Sequence, residues 1–340
     1  MGCTDSKGAF CDFKEPCSRH HRSGAGHHDS DLEDAIYSQW MADLPDDKLV
    51  SEISIPGTHD SFSYHCTHFA ICQSKSAPVL LGMGVRYFDV RLKVKKNGRL
   101  RVFHGPTDQK TYFEEIMRDF TQFLTHHPSE FLIARIKQEG DSAKGHVFKE
   151  VFKRFALNQD YEKFWYLNAY VQEESKISRV KINVGAVRGK ILLVSDFEKE
   201  FNGVTSSGLN WGDLEMQDDY NFKPDFRMEE KVQSIKHFFK KIQDDHIGET
   251  GKICINHCSA SSDNSLVFPS CVAKTTNACV FEHTGIMGIV AMDFPGQLVI
   301  NHIIAQNPGL KINEESAHKI QANLQESHKQ ISDEQVKHEK

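Results

Sequence analysis

From about residue 50 to residue 300, short apolar runs rich in β-branched and aromatic residues alternate with longer amphipathic segments. The short runs are VSEISIP, VRYFDVRLKV, LRVFHG, EFLIARIK, GKILLVSDF, GKICIN and GIMGIVAMDF, and their length and composition predict strands. TYFEEIMRDFTQFLTHH, HVFKEVFKRFAL, MEEKVQSIKHFFKKIQ and QLVINHIIAQN carry the helical period, as does LEDAIYSQWMADL with its stripe of Leu32, Ile36, Trp40 and Leu44. Strands alternating with helices of this length imply βα units and a parallel sheet. Polar residues gather at the strand C-termini in GTHD, FDVR, FHG and RIKQE, and no glycine-rich dinucleotide or phosphate loop follows an early strand. Both features favour a β/α barrel, whose C-terminal mouth collects side chains from many strands. That barrel is irregular, because only KKNGR separates VRYFDVRLKV from LRVFHG. The Asn97-Gly98 pair there reads as a tight turn and leaves no room for a crossover helix.

The two ends break the pattern. Residues 1–30 are small, polar and interrupted by glycine, without the apolar core of a secretory signal. They begin M-G-x-x-x-S, which places Gly2 in an N-myristoylation pattern with Cys3 beside it as a palmitoylation position. One myristoyl chain binds a bilayer only transiently, whereas a second chain on Cys3 makes the anchor stable. Residues 311–340 are charged with sparse apolar positions and read as a loose tail, so one catalytic domain is expected over 31–310.

Composition narrows the partners. Of 340 residues, 47 are acidic and 41 are Lys or Arg, a formal charge of −6 that provides no basic field for nucleic acid. No apolar run reaches the ~20 residues of a membrane span. The nine cysteines are unevenly spaced, which suggests a reducing compartment and mostly free thiols. Cys254, Cys258, Cys271, Cys279 and His283 fit no familiar zinc spacing and read as buried thiols instead.

Strand ends supply the candidate chemistry: His59 and Asp60, Asp89 and Arg91, His104, Lys137, and Asp293. Two imidazoles with carboxylates and an arginine at one mouth suit phosphodiester cleavage. One imidazole takes a proton from an attacking hydroxyl and the other gives one to the leaving alkoxide, while the guanidinium steadies charge on phosphorus. Each residue alone admits a structural reading, Asp60 as a helix cap and Asp89 with Arg91 as a plain ion pair; the composite points to chemistry.

SIPGTHDSF, GVRYFDVR, VFHGP and THHPSEFLIARIKQE resemble the phosphatidylinositol-specific phospholipase C X-domain family, in the pattern of its bacterial, single-domain, metal-independent branch. The similarity continues through VRGKILLVSDF, the QDDY at 217–220, EEKVQSIK, ICINHCSASS and VAMDF, and covers most of 45–305. The resemblance implies a distorted TIM-type α/β barrel. It implies that His59 is the base for the inositol 2-hydroxyl with Asp293 as its carboxylate, and that His104 is the acid for diacylglycerol, assisted by Asp60. Asp89 would support that site, Arg91 would bind the phosphate, and Lys137, Asp218 and Tyr220 would contact the inositol ring, the tyrosine by stacking.

The implied substrate is membrane phosphatidylinositol or its glycosylated form, and the implied product is an inositol 1,2-cyclic phosphate. With the acylated leader, residence on the cytoplasmic face of a membrane is expected. The calcium-dependent branch carries a carboxylate where this chain has Arg91, and Ca²⁺ needs six to eight oxygen ligands, so no metal or other cofactor is expected. One position departs from the pattern: the strand GKILLVSDF ends in Ser195-Asp196 where the bacterial branch has a basic residue that contacts ring hydroxyls. An acid there would repel a phosphorylated headgroup, which favours the unphosphorylated lipid. Two other classes compete, a non-catalytic inositol-lipid binding module on the same barrel and a metal-dependent glycerophosphodiester-type phosphodiesterase.

Overall fold

A computed structural model describes residues 38–310 apart from 66–69, 141–144, 169, 174–175, 198–207, 221–227 and 261–267. The leader with Gly2 and Cys3 and the tail at 311–340 lie outside the described residues. The strands are β1 (Ile55–Thr58), β2 (Tyr87–Val94), β3 (Leu100–His104), β4 (Thr107–Tyr112), β5 (Leu132–Gln138), β6 (Trp165–Tyr166) and β7 (Tyr170–Glu173). They continue with β8 (Lys176–Arg179), β9 (Ile191–Asp196), β10 (Leu209–Asn210), β11 (Glu215–Gln217), β12 (Cys254–His257) and β13 (Ile289–Met292). The helices are α1 (Ala77–Met83), α2 (Phe113–His126), α3 (Gly145–Ala156), α4 (Val184–Val187), α5 (Met228–Asp244), α6 (Pro269–Val280) and α7 (Gln297–Ala305).

Eight strands follow one another in the order β10-β9-β5-β2-β1-β13-β12-β11, and every neighbouring pair is parallel. Among the described residues no ladder joins β10 to β11; a short 3-10 turn at Trp211–Asp213 carries the chain between them. The fold is thus an α/β barrel of TIM type, distorted and open at that seam. The strands bury both faces, which is why they read as continuous Ile, Leu and Val rather than as alternating patterns. The helix α2 shows the complementary pattern: Phe113, Ile116, Phe120, Phe123 and Leu124 form its buried face. A fully buried ion pair ties the N-terminal ends of β2 and β5 together. Arg86 Nε and Nη2 donate to Glu130 Oε2 at 2.9 and 2.8 Å, and Arg86 Nη1 donates to the carbonyls of Leu81 and Val85. Saturating the guanidinium in this way offsets the cost of burying it.

The irregularity expected after β2 is a hairpin. Strand β3 runs antiparallel to β2, with Leu92 opposite Val102, and Gly98 turns the chain at φ 72°. Two local readings change. Thr111 and Tyr112, expected in a helix, belong to β4, which pairs with β3 through Arg101 and Tyr112; the ladder outweighs a helical pattern that is weakest at its first turn. Of the stripe through Trp40, only a 3-10 turn at Trp40–Asp43 falls within the described residues from 38 onward. Cys72, Cys258 and Cys279 are free thiols, and Cys258 and Cys279 pack in an apolar cluster with Ile235, Phe239 and Val290.

Candidate active site

The seam between β1 and β13 sets the first side chain. The N–H of His59 donates to Met292 O at 2.9 Å, and the Gln73 side-chain amide donates to both His59 O (2.7 Å) and Met292 O (3.0 Å). Gly57 is required one turn of the pleat earlier, because a Cβ there would stand 2.7 Å from the Tyr87 ring. Asp60 then bends the chain at φ 42°, a conformation that Asp tolerates better than most residues. Its N–H donates to Asp89 Oδ2 at 3.2 Å, while the Asp89 N–H donates to Ser61 Oγ at 2.7 Å. The ends of β1 and β2 are thereby locked together.

Around this frame five side chains make an unbroken series. Asp293 Oδ1 lies 2.9 Å from His59 Nδ1, and His59 Nε2 lies 2.7 Å from Arg91 Nη2. Arg91 Nη1 stands 3.2 Å from Asp60 Oδ2, which stands 3.3 Å from His104 Nδ1. A guanidinium can only donate, so Nε2 of His59 accepts and the ring proton sits on Nδ1, facing Asp293. Burial, reinforced by the Arg91 charge, holds this imidazole well below the ordinary histidine value of 6.5, so it is neutral near pH 7. Burial and the Asp60 charge push the Asp293 carboxyl well up. His104 has the opposite frame: its Nδ1 lies 3.0 Å from the carbonyl of Ala70, which fixes the proton on Nδ1, while Nε2 has no partner among the described residues.

Arg91 also donates through Nε (3.1 Å) and Nη2 (2.9 Å) to Asp89 Oδ2. Burial opposes ionisation of Asp89, but Arg91 and Arg135 outweigh it and hold the carboxyl well below the usual carboxylate range. Burial raises Asp60 against the pull of Arg91 and His104. A guanidinium therefore occupies the space between the two carboxylates that a calcium ion would need. Two sets of groups, His59 with Cys72 and Asp293, and Asp60 with Cys72 and His104, bring metal-ligating atoms within 4.8 Å of one another. Both lie beside Arg91, whose charge opposes a cation there.

The remaining expected residues lie on other segments. Lys137, near the end of β5, has its ammonium 3.7 Å from Glu139 Oε2. Asp218 follows β11, and burial raises its carboxyl against the pull of Arg135; Tyr220, two residues on, is 54% exposed. A buried lysine steadies this segment: Lys231 Nζ donates to Gln217 Oε1 (3.1 Å) and Asp219 O (2.9 Å), and burial lowers its ammonium to about 8.

Asp196 is not the uncompensated acid that its place in the sequence suggests. Arg135, on the neighbouring strand β5, donates to Asp196 Oδ2 through Nε (3.1 Å) and Nη2 (2.6 Å). Arg135 Nη1 stands 3.4 Å from Asp89 Oδ1, and its guanidinium carbon lies 3.6 Å over the Trp211 ring. The Asp196 charge is thus compensated within the protein by a cation on β5. The pattern of strand-end residues does not single out Arg135, Trp211, Cys72 or His257. Arg135 was visible only as an unusual charge inside an apolar strand, and His257 as one more polar residue at a strand end.

Residues 48–196 match the family model described as phosphatidylinositol-specific phospholipase C, X domain. Over 293 residues the chain is 31% identical to a 1-phosphatidylinositol phosphodiesterase of Listeria monocytogenes, covering 79% of this chain and 84% of that protein. The chain belongs to the phosphatidylinositol-specific phospholipase C X-domain family. A Staphylococcus aureus 1-phosphatidylinositol phosphodiesterase is 25% identical over 260 residues, 70% of this chain and 80% of that protein. The solved Listeria monocytogenes phosphatidylinositol-specific phospholipase C superposes with a TM-score of 0.65 at 28% identity, covering 79% of this chain and 98% of that one.

Proposed function

We propose that this protein is a phosphatidylinositol-specific phospholipase C that works by acid–base catalysis around Arg91. The observation that carries the reading is the contact series Asp293–His59–Arg91–Asp60–His104 at the barrel mouth. When the lipid phosphate takes the Arg91 guanidinium, Nε2 of His59 is released to accept the proton of the inositol 2-hydroxyl. The 2-oxygen then bonds to phosphorus as the bond from phosphorus to the glycerol oxygen breaks. The protonated His104 ring, held through Nδ1 by Ala70 and Asp60, gives its Nε2 proton to the departing diacylglycerol. The remaining product is inositol 1,2-cyclic phosphate. Because nucleophile and phosphorus belong to one molecule, the attack gains the advantage of an intramolecular reaction. Asp89 keeps Arg91 charged and aimed, while Lys137, Asp218 and Tyr220 line the ring side, where a glycosylated headgroup is a second candidate substrate.

Product analysis on phosphatidylinositol with excess EDTA tests this reading. The cyclic ester is expected at an unchanged rate with chelator present. Binding of the lipid without turnover would instead favour a binding module, and a requirement for a divalent ion would favour a metal-dependent phosphodiesterase. We further propose that acylation at Gly2 and Cys3 holds the enzyme on the cytoplasmic face of a membrane, since the net charge of −6 gives no general attraction to anionic lipid. Gly2→Ala is expected to move the protein into the soluble fraction while activity on detergent-dispersed lipid survives; an unchanged membrane fraction sinks the anchor.

A further inference from the structure

One imidazole in the barrel wall has both nitrogens idle. His257 ends β12 at 1% exposure, and among the described residues neither Nδ1 nor Nε2 has a hydrogen-bond partner. Buried polar groups without any partner are uncommon, and one beside a catalytic cluster points to a group that arrives with the substrate. The ring of His257 meets His59 edge-on at 5.8 Å on one side and Trp211 at 5.8 Å on the other. Trp211 in turn carries the Arg135 guanidinium, so one line of contacts runs from His59 through His257 and Trp211 to Arg135.

The polar groups of that wall are already committed. Arg135 is taken by Asp196 and Asp89, His59 by Asp293 and Arg91. The Asn256 amide donates to Ile235 O, and the Gln217 amide donates to Asn256 Oδ1 and to the carbonyl of His257 itself. Burial first, then Arg135, keep the His257 ring from taking a proton, so it is a neutral imidazole with one donor and one acceptor. Such a pair matches a hydroxyl, which also donates once and accepts; a phosphate would call for a cation with free donors.

We propose that His257 is a substrate-binding residue that hydrogen-bonds an unphosphorylated hydroxyl of the inositol ring, close to the hydroxyl that His59 deprotonates. The assignment rests on the phospholipase reading and deepens it: the wall reads a neutral polyol, with its charges paired internally.

His257→Phe in the full-length protein tests it, because phenyl keeps the edge-on packing against His59 and Trp211 and removes both nitrogens. Against phosphatidylinositol in detergent micelles, KM should rise about tenfold, the worth of one hydrogen bond, with kcat changing less than about threefold. The denaturation midpoint should hold or rise, since an orphaned polar group has left the interior. His257→Gln, which offers a donor and an acceptor, should recover part of the KM, and tryptophan fluorescence should show weaker myo-inositol binding to His257→Phe than to wild type. An unchanged KM in an active His257→Phe enzyme overturns the assignment. So does a loss confined to kcat together with a lower denaturation midpoint, which would make His257 a structural support for His59. Absence of phosphatidylinositol turnover in the wild type is a separate result, which removes the phospholipase reading and this assignment with it.

Discussion

On the phosphate side of the mouth, Asp293, His59, Arg91, Asp60 and His104 touch in series, each contact between 2.7 and 3.3 Å. On the ring side, Arg135 turns back to Asp89 and Asp196, and the His257 imidazole meets His59 and Trp211 edge-on. The two sides differ in what they leave for the substrate. The phosphate side is a charged network whose central cation must exchange one set of contacts for another, so its geometry is prepared before the lipid arrives. The ring side pairs its charges internally and keeps hydrogen-bonding capacity in reserve. A charged phosphate and a neutral polyol ask for these two kinds of surface.

That contrast can be broken most forcefully at the histidines. His59→Ala and His104→Ala should each lower kcat by roughly 10²–10⁴-fold, measured as release of the cyclic ester, because each removes one proton transfer from the same displacement. Retention of near-normal kcat in either variant would separate that histidine from the chemistry. A smaller effect, about tenfold in kcat/KM, is expected on the ring side from Arg135→Ser, which strands the Asp196 carboxylate beside the headgroup. Adding Asp196→Ser should restore much of the loss; if the double variant is as poor as the product of the two single variants, the pair is not coupled.

The smallest effect is on pH. His59 and His257 both have folded-state values lowered by burial below the ordinary 6.5, so below that pH the unfolded chain binds protons that the folded chain refuses. Stability from these groups is therefore present above about pH 6.5 and lost as pH falls below it. A denaturation midpoint followed from pH 7 to 5 should fall in wild type and fall less in His257→Phe. An equal slope in both proteins would mean that His257 does not enter the balance.

Much of the phosphate side was legible from the chain alone. His59, Asp60 and Asp293 sit just beyond the C-terminal ends of parallel strands, and in a parallel barrel those ends share one mouth; Asp89 and Arg91 lie inside β2, just past the level where β1 ends, and His104 returns to them on the antiparallel strand β3. The ring side was less legible for a specific reason. Arg135 and Asp196 are 61 positions apart, and their pairing depends on β5 and β9 lying side by side with Arg135 opposite Val194. Read in isolation, Asp196 looked like an acid set to repel the headgroup. His257 stood inside a recognised motif but shared its residue type with eighteen others; among the described residues it is set apart by having both ring nitrogens buried without a partner.

Local information therefore determined what depends on neighbours along the chain: the alternation of strands and helices, the Asn97-Gly98 turn, and the motifs that carry the phosphate chemistry. Tertiary structure alone decided which charges cancel and which polar atoms are left over, because electrostatic pairing and burial depend on distance in space, and parallel strands bring together residues that the sequence keeps far apart.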